Sequence, residues 1–285
     1  MYSKLNKIII AIVLVIILAL TLIYLLNKND FHKPLEYRSD YGSRKFIEVK
    51  FQMAFTEEEV EFIAEVVDSL VITEGDIILG TLKDFELQGF AAVTGEGKLW
   101  DRGIIPYVIE SNHPKKDEIL KAIEEINTKT KIKLLPRLNE RDYVYFMNKP
   151  NCASYVGRQK DGQVIECGNC SYGSIIHEIL HAAGFYHEHT RKDRGKYIIV
   201  NEENIEINSS DNFRRYIDRF LSGKDIKDYD YNSIMHYDEY SFSKNGKKTI
   251  EVKKLQQDSV IKIGQRDSLS DGDIRGINIT YHLKQ

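Results

Sequence analysis

Four of the chain's eight histidines lie in one short segment, residues 177–194, which reads HEILHAAGFYHEHTRKDR. If residues 174–183 form a helix, as the apolar residues among them allow, His177 and His181 share one helix face, because they are four residues apart. Both imidazoles can then bind a single metal ion. Glu178 is the next residue after His177, where its carboxylate can act as a base toward water at the ion rather than as a ligand. The segment is therefore a candidate metal centre.

A third nitrogen ligand requires the helix to end. His187 follows His181 by six residues, so a continued helix would carry it to the opposite side. Gly184 lies between them and can end the helix, because glycine adopts the left-handed C-cap conformation at little cost. A turn there would return His187 to the ion. Three protein nitrogens and one open position are typical of catalytic rather than structural Zn²⁺.

The alternative for these residues is a set of ordinary histidines on a packed helix. The short pattern HExxH recurs by chance, but HExxHxxGxxH is far more restrictive. The longer pattern resembles the metzincin class of zinc peptidases, and its continuation FYHEHTRKDR narrows the resemblance to the astacin family. Residues 230–237, DYNSIMHY, resemble the Met-turn of that family. The resemblance extends over about residues 91–281, with weaker support in the segment before them.

The resemblance implies a zinc-dependent endopeptidase that hydrolyses peptide bonds in proteins or peptides. One Zn²⁺ would be held by the three histidines named above, and Glu178 would be the general base. Tyr237 would cap the zinc at rest and stabilise the oxyanion, and Met235 would form an apolar floor below the histidines rather than a ligand. A catalytically silent adhesion or binding domain on the same fold is disfavoured, because Glu178 is present. A metallohydrolase acting on a non-peptide bond is disfavoured by the match through Tyr237.

The resemblance also implies a fold and a latent form. The fold would be α+β and two-lobed, with a sheet and the active-site helix in the N-terminal lobe, and the Met-turn and a C-terminal helix in an irregular C-terminal lobe. Residues 73–77, TEGDI, would ordinarily be a Gly-Asp turn. In the family's pro-segments an FxGD element provides an Asp that binds zinc in place of water, which implies Asp76 as latency ligand, although Thr73 replaces the Phe.

Processing near Ala91 follows from the resemblance, because residues 91–100 look like the start of a mature astacin. The new amino terminus is expected to reach Glu188, the carboxylate directly after the third ligand. Residues 263–266, IGQR, look like the stretch that lines the pocket for the residue after the scissile bond, where Arg266 would favour acidic side chains. Alternatively, Arg266 is solvated or pairs with Asp267 or Asp273.

The cysteine count is three, an odd number. Cys167 and Cys170 form a CxxC pattern that could by itself be a redox or zinc pair. The resemblance instead pairs Cys152 with Cys170 in a disulfide and leaves Cys167 free.

Composition and charge restrict the partners and the organisation. A net charge of -3, with 42% hydrophobic and 29% charged residues, fits one globular domain with an appendage and gives no indication of a nucleic-acid partner. Residues 8–26 are an unbroken apolar run, long enough to cross the ~30 Å hydrocarbon core of a membrane. No small-x-small cleavage site follows, so we expect an uncleaved signal anchor with the rest of the chain on the extracytoplasmic side; a cleaved segment would give a secreted protein. The expected divisions are the anchor 1–27, the stalk and pro-segment 28–90 and the catalytic domain 91–285.

The coarse secondary structure supplies the elements around the site. Residues 30–53 are polar and predict a stalk, and residues 55–71 predict a helix, with Thr56 and Glu59 as a capping box. Another amphipathic helix is predicted at 114–128, and a last helix from Ser270 onward, capped through Asp273. Strands are predicted at 132–135, 143–147, 153–156 and 163–166, and an edge strand among them could bind an extended peptide.

Overall fold

A computed structural model of the chain describes residues 37–38, 44–52, 59–83, 85, 99–219, 223–253 and 261–282. The predicted anchor at 1–27 and the predicted processing point at Ala91 lie outside these residues. Within the described ranges, no helix has the length and apolar character needed to span a membrane.

The elements appear in the following order. The strands are β1 (Tyr37–Arg38), β2 (Lys45–Gln52), β3 (Glu59–Val67), β4 (Leu70–Thr73), β5 (Ile77–Thr81), β6 (Ile104–Ile109), β7 (Lys133–Pro136), β8 (Val144–Met147), β9 (Ala153–Ser154), β10 (Gln163–Glu166), β11 (Ile198–Val200) and β12 (Ile250–Val252). The helices with described bounds are α1 (Lys116–Lys129), α2 (Tyr172–Ala182) and α3 (Asp271–Thr280). Short 3₁₀ turns lie just before β6, between α2 and β11, and between β11 and β12.

One mixed sheet contains the first ten strands in the order β1-β2-β3-β4-β5-β9-β10-β8-β6-β7. Strands β7, β6, β8 and β10 are mutually parallel, and β9 runs antiparallel to β10. Strands β2 to β5 form an antiparallel meander. The two halves meet where β5 pairs in parallel with β9, through Ile77 and Ser154. The segment before residue 90 therefore extends the sheet of the main domain.

The predicted helix at 55–71 is wrong, because the described part of this range forms β3, a two-residue turn and the start of β4. The buried side chains of β3 are Phe62, Ala64 and Val66, which recur with a period of two rather than the helical 3.6. Pairing with β2 from Glu59 to Val66 satisfies this alternation. Asp68 has a φ of 54° and reverses the chain, so the apolar spacing that suggested a helix is divided between two strands.

The predicted stalk at 30–53 is also wrong in part. Lys45–Gln52 is a strand whose Ile47 and Val49 are each 1% exposed. They pack with Phe62, Val71 and Phe85 in a small apolar core of their own. The described part of this range is therefore folded as a strand of the large sheet.

The main core lies between the sheet and the helices. Helix α1 buries Ile119, Ala122, Ile123 and Ile126 on one face, as the amphipathic pattern predicted. The strands predicted at 132–135, 143–147, 153–156 and 163–166 are confirmed as β7, β8, β9 and β10, with ends shifted by up to two residues. The α+β architecture is confirmed at this level.

The C-terminal helix is attached to the Met-turn. The capping box predicted at its start is present: Asp273 N–H donates to Ser270 Oγ at 2.8 Å, and Ser270 N–H donates to Asp273 Oδ2 at 3.0 Å. The same carboxylate accepts from Ser233 Oγ at 2.7 Å and from Ile234 N–H at 2.9 Å. One aspartate therefore caps α3 and fixes the turn below the metal centre.

Candidate metal centre

Helix α2 presents two of the predicted ligands from inside the protein. Its N-cap, Ser171, accepts a hydrogen bond from Ser174 N–H at 3.2 Å. His177 and His181 lie one turn apart and are 1% and 0% exposed. The apolar residues of the helix, Ile175, Ile176, Ile179 and Leu180, are packed in the main core. This packing fixes the helix and with it the direction of both imidazoles.

The helix ends where the sequence predicted. Gly184 has a φ of 103°, and its N–H donates to His181 O at 2.8 Å, while Phe185 N–H donates to Leu180 O at 3.0 Å. A Cβ at Gly184 would also come within 3.0 Å of Leu99. The chain then turns back and brings His187, 1% exposed, beside the other two histidines.

Each of the three imidazoles donates its Nδ1–H to an oxygen. His177 donates to Ile234 O at 2.7 Å, and His181 donates to Phe185 O at 2.8 Å. His187 donates to the Glu74 carboxylate at 2.6 Å. In a neutral imidazole with this tautomer, Nε2 keeps its lone pair for a metal ion.

The three Nε2 atoms converge on one point together with Asp76. The Nε2 atoms of His177 and His187 are 3.1 Å apart, and Asp76 Oδ2 is 3.2 Å from each. Asp76 Oδ1 is 3.6 Å from His181 Nε2. All four ligand atoms lie within 4.8 Å of one another. The structure thus brings Asp76 to the three predicted histidines across a long separation in sequence.

These residues fit a divalent cation. Among the described residues, the buried His181 Nε2 and Asp76 Oδ1 have no hydrogen-bond partner. Burial lowers the pKa of His177 to about 3 despite the neighbouring Asp76, so this imidazole is a neutral ligand. Three imidazole nitrogens and a carboxylate oxygen are ligands that Zn²⁺ takes in a tetrahedral arrangement.

Glu178 is buried beside this centre without joining it. Its side chain is 2% exposed, and within the described chain its Oε2 has no hydrogen-bond partner. Burial and the nearby Asp76 charge raise its pKa well above the ordinary value, while the positive charge of Arg266 opposes them. The carboxylate therefore has an unused oxygen, which suits proton transfer.

The turn between β4 and β5 presents Asp76 to the histidines. Glu74 and Gly75 have φ angles of 52° and 78°, and a Cβ on Gly75 would come within 2.8 Å of Phe242. The backbone oxygen of Asp76 accepts from Ser154 N–H on β9 at 2.8 Å. Tyr237 is 4% exposed, and its hydroxyl donates to Glu74 O at 2.5 Å. The turn therefore contacts the predicted ligands, the predicted oxyanion donor and the sheet edge together.

Arg266 lies near the candidate metal centre and pairs with neither Asp267 nor Asp273, the two internal partners considered from the sequence. Its Nη1 donates to His236 O at 3.0 Å and to Gln265 O at 2.9 Å. Among the described residues it forms no ion pair, with Asp267 or Asp273 or any other acid.

Comparison of the sequence with models of known protein families identifies the family. The family model for the astacin peptidases matches residues 92–282. The chain belongs to the astacin family. The resemblance found in the sequence is thereby confirmed, and so is one Zn²⁺ as the cofactor of this centre.

Relatives of the chain are named as zinc proteinases. The chain is 34% identical over 267 residues to zinc metalloproteinase nas-4 of Caenorhabditis elegans, covering 90% of this chain and 79% of that protein. It is 37% identical over 197 residues to nas-14 of the same organism, covering 66% of this chain but 38% of that protein. High choriolytic enzyme 1, a hatching enzyme zinc-protease of the medaka fish Oryzias latipes, is 34% identical, with a TM-score of 0.57 over 67% of this chain and 96% of that one. The chain spans about two fifths of the length of nas-14 and nas-13.

In this astacin chain, the predicted Met-turn is hydrogen-bonded to one predicted ligand and to the residue after another. Ile234 O accepts from His177, and Met235 O accepts from Glu188 N–H at 3.0 Å. Met235 is 3% exposed and belongs to the main core. The turn thus positions the first ligand and the residue after the third one.

Glu188 lies at a large cavity. Its Oε1 accepts from Asp230 N–H at 2.8 Å and from Arg191 Nη1 at 3.1 Å. Burial raises the pKa of Glu188 to about 7 despite Arg191. The cavity has a volume of about 740 Å³ and is also lined by Asp228 and Asp273.

The disulfide implied by the resemblance is present, between Cys152 and Cys170, and Cys167 is free and buried. The Cys167 sulfur lies 3.5 Å from His113 Nε2, and burial raises the pKa of its thiol to about 12. The disulfide holds the residue before β9 to the residue before Ser171, the N-cap of α2.

Glu74 was not predicted from the sequence as a site residue, yet it contacts both His187 and Tyr237 in this astacin chain. The available signal was a glutamate in the predicted Gly-Asp turn, two residues before the predicted latency ligand.

Proposed function

We propose that the chain is a zinc-dependent endopeptidase that hydrolyses peptide bonds in proteins or peptides and is made as a zymogen. The observation that carries the proposal is the convergence of three buried histidine Nε2 atoms beside the unpartnered oxygen of Glu178. A silent adhesion or binding domain would not need that carboxylate, whose burial is costly without a partner.

Each residue of the site would have a separate role in the reaction. When bound, zinc acidifies water and polarises the substrate carbonyl. Glu178 would take the proton from the attacking water and return it to the leaving amine. Tyr237 would donate its hydroxyl to the oxyanion that develops on the substrate. His177, His181 and His187 would keep their Nδ1–H groups on fixed acceptors, which holds the imidazoles in place during turnover.

Latency would come from residues 28–90. Support comes from Asp76 at the histidines and from the pairing of β5 with β9, which uses a strand that a substrate could otherwise pair with. Tyr237 is also occupied, because its hydroxyl donates to Glu74 O. Cleavage near Ala91 would release all three contacts, and the new ammonium group could then enter the cavity at Glu188, where it would add a second positive charge beside Arg191.

The location proposed is a single-pass membrane protein with the catalytic domain on the extracytoplasmic side. The apolar run at 8–26 and the Cys152–Cys170 disulfide support this proposal, because disulfides persist in oxidising compartments. If the apolar segment is removed, the product would be secreted.

The first expected result tests the activity itself. The full chain should contain one zinc per molecule and show little cleavage of a mixed peptide library. After processing near Ala91, cleavage should appear and be abolished by a zinc chelator. A processed, zinc-loaded protein that cleaves no peptide would contradict the proposal, and peptide binding without cleavage would favour the silent domain.

A second expected result concerns substrate choice. We propose that Arg266 favours acidic residues after the scissile bond, because a guanidinium binds a carboxylate through two charge-assisted hydrogen bonds. Its freedom from ion pairs among the described residues and its electrostatic influence on Glu178 support this role. Arg266→Ala should erase a preference for Asp or Glu there and spare cleavage before neutral residues.

The control for this variant is Arg141→Ala, which removes a surface arginine paired with Asp161. Both variants and the parent should be profiled with the same library after processing. An acidic preference that survives in Arg266→Ala, or that is lost in Arg141→Ala, would assign the pocket to other residues.

A further inference from the structure

Glu74 is a buried acid with three separate contacts to the catalytic domain. It is 1% exposed, and its carboxylate accepts from His187 Nδ1–H at 2.6 Å. Its backbone N–H donates to Asn212 Oδ1 at 2.8 Å, and its carbonyl accepts from Tyr237. A buried charge is costly unless it is paired, and a φ of 52° is uncommon for glutamate. The fold therefore keeps Glu74 in this position although burial of its charge and its backbone conformation are both unfavourable.

The acceptor of His187 differs from those of the other two ligands. His177 and His181 donate to the backbone oxygens of Ile234 and Phe185, which belong to the catalytic domain and remain after processing. His187 donates to a carboxylate that belongs to the segment proposed to be removed. A carboxylate behind a ligating histidine makes its other nitrogen a stronger donor to the metal than a neutral carbonyl does.

The negative charges of Asp76 and Glu74 also favour a bound cation. Asp76 lies at the metal position, and Glu74 lies directly behind the third ligand. Together they supply two negative charges opposite a divalent cation, in a site with a low effective dielectric constant. Both carboxylates lie on the same short turn between β4 and β5.

We propose that Glu74 is a zinc-retention residue of the pro-segment, which acts through His187 so that the unprocessed chain binds zinc more tightly than it would with Asp76 alone. The inference rests on the proposed function in taking His187 as a ligand and residues 28–90 as removable. It assigns to the pro-segment a role in loading and holding the metal before processing, in addition to latency. Glu74 is a positioning residue, because its carboxylate reaches the ion only through the imidazole.

The test compares zinc affinities of full-length chains by competition with a chromophoric chelator. Glu74→Gln keeps the length of the side chain and the backbone contact with Tyr237 but removes the charge behind His187. We expect its zinc dissociation constant to rise about 10- to 100-fold. Glu48→Gln is the matched control, because it removes a carboxylate from an exposed position of β2 in the same segment, and its zinc affinity should be unchanged.

Two further measurements separate metal retention from folding and from activity. Glu74→Asp tolerates the left-handed backbone better and moves the charge away from Nδ1, so it should give an affinity between the parent and Glu74→Gln. After processing, the parent and Glu74→Gln become the same protein and should have the same zinc affinity and turnover. Equal affinities of the unprocessed parent, Glu74→Gln and Glu74→Asp would overturn the inference. A failure of the proposed function would appear instead as a processed parent that binds zinc and does not cleave peptides.

Discussion

Glu178→Gln is expected to lower peptide turnover by about 10²- to 10⁴-fold, the range for loss of a general acid-base catalyst, and to leave the zinc content unchanged. The amide has nearly the shape of the carboxylate but cannot accept the proton of the attacking water. Glu178 lies outside the convergent set of His177, His181, His187 and Asp76, so its replacement removes no metal ligand. Turnover should be measured on the processed protein, with metal content determined on the same sample.

Glu166→Gln is the matched control for this variant. Glu166 is a buried carboxylate of the same domain, 5% exposed, which accepts a hydrogen bond from Asn151 at 2.8 Å. An amide oxygen can accept that bond, so turnover should stay close to that of the parent. Near-normal cleavage by Glu178→Gln, with the zinc retained, would exclude Glu178 as the base and require another proton acceptor.

The metal centre was predictable because its main determinants are local. His177, His181 and His187 lie within eleven residues, so helix periodicity and one glycine nearly fix their arrangement. The left-handed Gly184, directly after the C-cap Ala183, follows from the same local rules. Helix α1 and strands β7 to β10 were predicted for a similar reason, since each has an apolar pattern that favours one period.

The segment before residue 90 was harder to predict because its structure depends on pairing between strands. Apolar residues in the range 55–71 fit helical spacing, yet those of β3 also fit a two-residue period once β2 is beside it. The pairing of β3 with β2 decides between a helix and a strand, and a single sequence does not specify that pairing. The turn at Asp68 and the small core around Phe62 become evident only after β2 and β3 pair.

The contacts of Glu74 could not be predicted for the same reason, because they also join distant parts of the chain. Its partners His187 and Tyr237 are 113 and 163 residues away in sequence, and no local spacing connects them. Asp76 was predicted only through the family's FxGD element, in which Glu74 occupies the unspecified position. Long-range contacts of this kind arise from the sheet that joins β5 to β9.

Tyr237→Phe is expected to lower turnover of the processed enzyme by about 10²- to 10³-fold, the cost of losing one oxyanion donor, and to change KM much less. In the unprocessed chain the hydroxyl donates to Glu74 O, and the ring stacks on His189 with 3.7 Å between centroids. Removal of the turn would free the hydroxyl while leaving the ring packed. The phenol would then have its donor available for the substrate oxygen, and phenylalanine would keep only the packing.

Tyr231→Phe controls for the loss of a hydroxyl from the same motif. The Tyr231 hydroxyl donates to Tyr197 O at 3.2 Å, away from the histidines, so this variant should keep nearly normal turnover. Zinc content should be normal in both variants, because neither phenol is among the convergent ligand atoms. If Tyr237→Phe turns over substrate as fast as the parent, the hydroxyl serves only the contact with Glu74. If kcat falls and KM stays constant, the donor acts in the transition state, and the contact with Glu74 O blocks that donor until processing.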